Sequence, residues 1–102
     1  MRCNKRKIAL SYPGEMLSEE FLKPLNLTVN ALALALRVPS NRLYAIVEGE
    51  RGISLDTALR LGRYFGTGPE FWMNLQVHYD LETAREDLEP DIEKQVQPRT
   101  TA

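Results

Sequence analysis

The chain has 102 residues, and an apolar fraction of 43% suits one domain with a modest core. A single cysteine, Cys3, excludes an internal disulfide, and the apolar run Ile8-Ala9-Leu10 is too short for a signal-peptide core or a membrane span, so a cytoplasmic protein is expected. The net charge of −1 hides a segregation, with residues 1–66 at +4 and residues 67–102 at −5, which allows a basic face despite the near-neutral total.

Residues 1–11 read as a basic N-terminal arm with Arg2, Lys5, Arg6 and Lys7. Pro13 opens a first helix to about Leu22, because the first helical position does not need an N–H. Its expected apolar face is Met16, Leu17, Phe21 and Leu25, and Pro24 ends it. Thr28 is a fitting N-cap for a second helix to Leu36, with Val29, Leu32, Ala33 and Leu36 at helical period. The alternation ALALAL at 31–36 also fits a strand, but alanine forms strands poorly and the flanking cap favours helix.

Arg37-Val38-Pro39 breaks the helix, since proline pushes Val38 away from the α region. A third helix follows from Pro39 or Ser40 to Glu48 with Leu43, Ile46 and Val47 inward, and Gly49 supplies a left-handed terminus. Ser54 caps a fourth helix, Leu55 to Phe65, with Leu55, Ala58, Leu59 and Gly62 along one side, and Gly66 stops it. Pro69 starts a fifth, expected to end near His78, with a turn or two at 81–88 before Pro90. The pattern predicts an all-α, five-helix domain over 12–88, followed by an acidic, polar and flexible tail at 89–102.

Helix, tight corner and helix is the unit that places an exposed helix in a DNA major groove, here helices two and three. With Leu43, Ile46 and Val47 inward, Ser40, Asn41, Tyr44 and Ala45 remain outside, with Arg42 oblique. Asparagine pairs with adenine, arginine with guanine, and Ala45 suits a thymine methyl. Arg37, Arg51 and the arm residues Lys5, Arg6 and Lys7 are placed for phosphates. Taken singly, Ser40 and Asn41 are also ordinary helix-start residues. The case rests on their sharing one side of one unit.

One short recognition helix makes few base contacts, so pairing of two copies on a palindrome is expected. The expected pairing surface is Tyr64, Phe71, Trp72, Met73, Leu75 and Tyr79, since aromatics favour interface centres. The competing expectation is that Phe71, Trp72 and Leu75 complete the core of one chain. The acidic stretch with Asp80, Glu82, Glu86 and Asp87 suits a basic protein partner or plain solubility. An enzyme is not expected: His78 and Cys3 are the sole histidine and cysteine, four zinc ligands cannot be assembled from them, and no glycine-rich phosphate loop follows a strand. No cofactor, metal or small-molecule substrate is implied.

From Tyr12 to Glu86 the chain resembles the Cro/C1-type (XRE) helix-turn-helix domains and their lambda-repressor-like fold. More closely it is similar to the HigA-type antitoxins, also known as virulence-associated protein I (VapI) or plasmid maintenance antidote proteins. The stretches that carry this are PGEMLSEEFLKPLNLT at 13–28 and, within 38–84, GISLDTALRL followed by FGTGPEFWMNLQ. The resemblance implies a homodimer that represses its own operon at an operator. It further implies neutralisation of a small basic RelE-like toxin that cuts mRNA. A stand-alone Cro/C1-type regulator of phage or stress type, without a toxin, is the alternative. The family pattern has histidine at Tyr12 and glycine at Asn26 and Arg37. Asparagine tolerates the left-handed region, whereas a left-handed arginine costs about 1–2 kcal/mol.

Overall fold

The computed structural model describes residues 12–99, and the arm residues Lys5, Arg6 and Lys7 lie outside that range. Five helical segments account for the described secondary structure. Helix α1 opens as an α-helix at Pro13–Met16 and continues as a π-helix at Leu17–Leu22. It is followed by α2 (Val29–Leu36), α3 (Ser40–Val47), α4 (Leu55–Phe65) and α5 (Pro69–Gln95).

The caps act as the sequence predicts. Thr28 Oγ1 accepts from the Ala31 N–H at 3.0 Å, and Ser54 Oγ accepts from the Thr57 N–H at 3.3 Å. Each satisfies a donor that the first helical turn leaves over. At the far end of α3, Gly49 takes φ +82°, the left-handed position expected of it.

Three expectations about the helices need correction, two on their apolar faces and one on their extent. The π-turn in α1, with the Lys23 N–H bonded to the Ser18 carbonyl at 3.0 Å, widens the helical repeat. Leu17 and Leu22 therefore both point inward, while Leu25 is exposed. In α4, Leu55 and Leu59 are exposed, and Thr57, Ala58, Leu61 and Gly62 make the buried side. The third correction is α5, a single 27-residue helix that runs through Pro90 to Gln95. Proline's fixed φ is helical, so the helix runs on through Pro90. A proline there still forfeits one backbone bond and sets its ring against the carbonyl four residues back, at a cost of about 3 kcal/mol. The boundary expected at Leu88 falls inside this helix.

The core is built from Leu17, Leu22, Leu32, Ala33, Leu36, Leu43, Ile46, Ile53, Ala58, Leu61 and Trp72. Trp72 was expected at a pairing surface, but it has no exposed area. Its indole N–H donates to Thr67 Oγ1 at 2.9 Å, and its ring lies 5.0 Å from both Phe21 and Phe71. Phe65 adds to this cluster, 4.8 Å from Phe21. The tryptophan thus joins α1, α4 and α5 and serves the fold of one chain.

Candidate nucleic-acid interface

Helix α3 packs through Leu43 and Ile46, both essentially without exposed area, with Val47 half-buried beside them. At about 100° per residue, the side opposite carries Asn41, Tyr44, Ala45 and Glu48. Asn41, Tyr44 and Glu48 are exposed, whereas Ser40, Arg42 and Ala45 are half-buried. Of the flank expected from the sequence, Asn41 and Tyr44 therefore stand in water, while Ser40, Arg42 and Ala45 are partly covered. Glu48 belongs to the same flank and was missed in the sequence, although helical spacing alone (four residues after Tyr44) would have found it. A carboxylate there suits a cytosine amino group.

Two contacts from the N-terminal side fix the end of α3. The Tyr12 hydroxyl donates to the Val47 carbonyl at 2.9 Å, filling one of the acceptors that a helix C-terminus leaves over. Gly14 lies so close that a Cβ would stand 1.7 Å from the Ile46 carbonyl oxygen, which only glycine permits. Tyrosine at position 12 thus has a definite capping role.

The corner before α3 carries the strain that a left-handed arginine implies. Arg37 takes φ 62° and ψ 45° in the left-handed region, and Asn26 takes φ 55° before α2. The Arg37 N–H bonds the Leu34 carbonyl at 3.2 Å, and the Val38 N–H reaches back to Ala33 at 3.1 Å. These close the end of α2 and offset the roughly 1–2 kcal/mol cost of a left-handed side-chain-bearing residue. The Arg37 side chain is exposed at the N-terminal side of α3, and Arg51 is exposed in the loop after it. The two cations bracket the recognition helix, where phosphate contacts would set its register.

That loop is held by a residue that no local sequence signal marks. Gln76 of α5 is buried; its Oε1 accepts the Ile53 N–H at 2.7 Å and its Nε2 donates to Asp80 Oδ1 at 2.9 Å. Arg42 is tied too, with Nη1 donating to Asp56 Oδ2 at 2.6 Å. Hydrogen bonds from Arg42 and then from Arg60 hold the Asp56 carboxyl below the usual aspartate range.

The other expected surfaces come out less unified. With Trp72 and Gln76 facing inward on α5, Phe71 and Met73 fall on opposite flanks of that inward side. Tyr64 and Phe71 are exposed, and Met73, Leu75 and Tyr79 are half-buried against the same chain. These residues do not make one outward face. The outward side of α5 instead shows Val77, Leu81, Leu88 and Ile92, all exposed. Among the acidic residues, Asp80 is engaged by Gln76 and Glu82 by Arg85 at 3.0 Å, while Glu86 and Asp87 lie on exposed helix. Among the described residues no group of three or more His, Cys, Asp or Glu side chains is placed to hold a metal ion, and no helix is long and apolar enough to cross a membrane.

A family model described as helix-turn-helix matches residues 19–72. Virulence-associated protein I of Dichelobacter nodosus is 49% identical over 83 residues, covering 81% of this chain and 77% of that protein. An uncharacterised HTH-type transcriptional regulator of Haemophilus influenzae is 47% identical over 68 residues, 67% of this chain and 64% of its own. Among solved structures, the Pseudomonas aeruginosa antitoxin HigA with the higBA promoter superimposes with a TM-score of 0.85 at 46% identity. That match covers 87% of this chain and 97% of the other.

Proposed function

We propose that this chain, which belongs to the HigA/VapI antitoxins of the Cro/C1-type helix-turn-helix family, is the antitoxin of a type II toxin–antitoxin system and represses its own operon by binding operator DNA. What supports this reading above all is α3, whose Asn41, Tyr44 and Glu48 stand in water between the exposed Arg37 and Arg51. A relative of nearly the same length carries the same fold on its promoter. Ser40, Asn41, Arg42, Tyr44 and Ala45 read bases, and Arg37, Arg51 and the arm residues Lys5, Arg6 and Lys7 hold phosphates. The protein acts as a cytoplasmic homodimer, because two copies of an eight-residue recognition helix are needed for a specific site. Tyr64, Phe71, Met73, Leu75 and Tyr79 provide part of the pairing surface.

The antitoxin half of the reading assigns a small basic RelE-like mRNA endoribonuclease as partner, met by the acidic stretch around Asp80, Glu82, Glu86 and Asp87. A mobility-shift assay on the gene's own upstream region tests the repressor, with a scrambled duplex as control. Co-expression with the product of an adjacent small basic open reading frame tests the antitoxin, through relief of growth arrest. Similarity to an uncharacterised transcriptional regulator favours a second reading, a stand-alone repressor. Operator binding without any neighbouring toxin gene would select it.

A further inference from the structure

We propose that Asp56, outside the recognition helix, is a positioning residue for DNA recognition: its carboxylate holds the Arg42 guanidinium so that the remaining N–H edge is presented to the duplex. The proposal rests on the DNA-binding reading above and adds a residue to it. Arg42 stands in the first turn of α3, on the flank of the exposed side, and Asp56 in the first turn of α4. The 2.6 Å contact from Nη1 to Oδ2 is a short, charge-assisted hydrogen bond.

The carboxylate is itself anchored. Arg60 Nε donates to both oxygens, at 3.1 and 3.0 Å, and Arg60 Nη1 donates to the Leu36 carbonyl at 2.8 Å. A chain of contacts thus runs from the end of α2 through Arg60 and Asp56 to the recognition helix. The Arg42 side chain is laid down, only 25% exposed. Its Nε and Nη2 make no other hydrogen bond among the described residues. An arginine already fixed in one geometry gives up less conformational freedom on binding, and its planar fork keeps donors for a guanine edge or a phosphate.

Electrostatics makes the idea testable by sign. A carboxylate beside the phosphate backbone repels it, so removing the charge should tighten DNA binding unless the carboxylate acts through Arg42. Asp56→Asn keeps the size and removes the charge. Fluorescence anisotropy with the full chain is read on a duplex from its own upstream region and on a scrambled duplex, across a salt series. Asp56→Asn is expected to weaken the upstream duplex roughly tenfold while leaving the scrambled one unchanged or slightly tighter. Arg42→Ala should give a similar loss, and Asp56→Asn added to Arg42→Ala should cost less than about twofold more. Arg60→Gln loosens the anchor of that carboxylate, so it is expected to lower the melting temperature and to narrow the ratio between the two duplexes by less than Asp56→Asn does.

Tighter upstream binding by Asp56→Asn would overturn the proposal, since Asp56 would then be withholding Arg42 from DNA. A loss that persists undiminished in the Arg42→Ala background would overturn it as well, because the residue would act through the fold. A wild-type protein that does not distinguish the two duplexes sinks the DNA-binding reading and this role with it. Discrimination by the wild type and by Asp56→Asn alike sinks the positioning role alone.

Discussion

Helix α3 and the far half of α5 are both exposed helices, but their surroundings differ in kind. The eight residues of α3 are held at one end by the Tyr12 hydroxyl and the close approach of Gly14, at the other by the Arg42–Asp56 pair, and underneath by Leu43 and Ile46. Beyond Tyr79, α5 buries no described residue, and ion pairs run along its own surface from Arg85 to Glu82 and Glu89. Such pairs contribute about 0.3–0.5 kcal/mol each. A helix that reads bases must be fixed to within a fraction of an ångström, because bidentate pairing tolerates little error. A helix offered to a protein partner needs only to be presented.

The largest expected effect comes from the core residue on which the near end of α5 is seated. Trp72 fills the junction of α1, α4 and α5 and keeps its N–H bonded to Thr67. Trp72→Ala should destabilise the chain by about 3–5 kcal/mol, measured by urea denaturation. If the residue instead served a pairing surface, monomer stability would barely change and only the association constant would fall.

Asn41 tests the fixed helix without touching the core. Asn41→Ala should cost about 1–3 kcal/mol in binding to the cognate duplex, with stability altered by less than about 0.5 kcal/mol. Loss of affinity on all duplexes alike would show that Asn41 contacts phosphate instead. Arg37 offers the opposite sign. Glycine takes its left-handed conformation without steric cost, so Arg37→Gly should raise stability by up to about 1 kcal/mol, less what the flexible unfolded chain gains. The same substitution should weaken binding to every sequence and reduce the salt slope by about one charge.

Where the sequence was legible follows the same division. Local chemistry marked the helix starts at Thr28 and Ser54, the corner at Arg37 to Pro39 and the stop at Gly49, because caps and left-handed positions are decided within a few residues. On α3, periodicity marked Asn41 and Tyr44 as outward but overlooked Glu48, and Ser40, Arg42 and Ala45 are half-buried. Tertiary choices were not readable in that way. No local signal distinguishes an aromatic that fills a three-helix junction, like Trp72, from one that waits for a partner. The π-turn in α1 displaced a face drawn at 3.6 residues per turn, and Pro90 was read as a stop although its φ suits the helix it sits in. Gln76 and Asp56 act on residues 23 and 14 positions away, a pairing that appears only once the chain is folded.

The smallest expected effect lies on the far half of α5, and it decides what that half is for. Val77, Leu81, Leu88 and Ile92 recur on its outward side, beside an acidic run in which residues 77–95 hold seven carboxylates against Arg85 and Lys94. Two such helices laid side by side would bring like charges together, which favours a basic partner over a second copy. Leu88→Gln with Ile92→Gln should change monomer stability by no more than about 0.5 kcal/mol, because neither side chain is buried. Operator affinity should stay within about twofold of wild type if pairing on DNA uses another surface, because a dimer that falls apart loses far more than that. A large drop in operator affinity, with dissociation seen in analytical ultracentrifugation, would instead make this stripe the pairing surface. The acidic residues beside it would then have to be neutralised within the dimer, and the basic partner would need a different face.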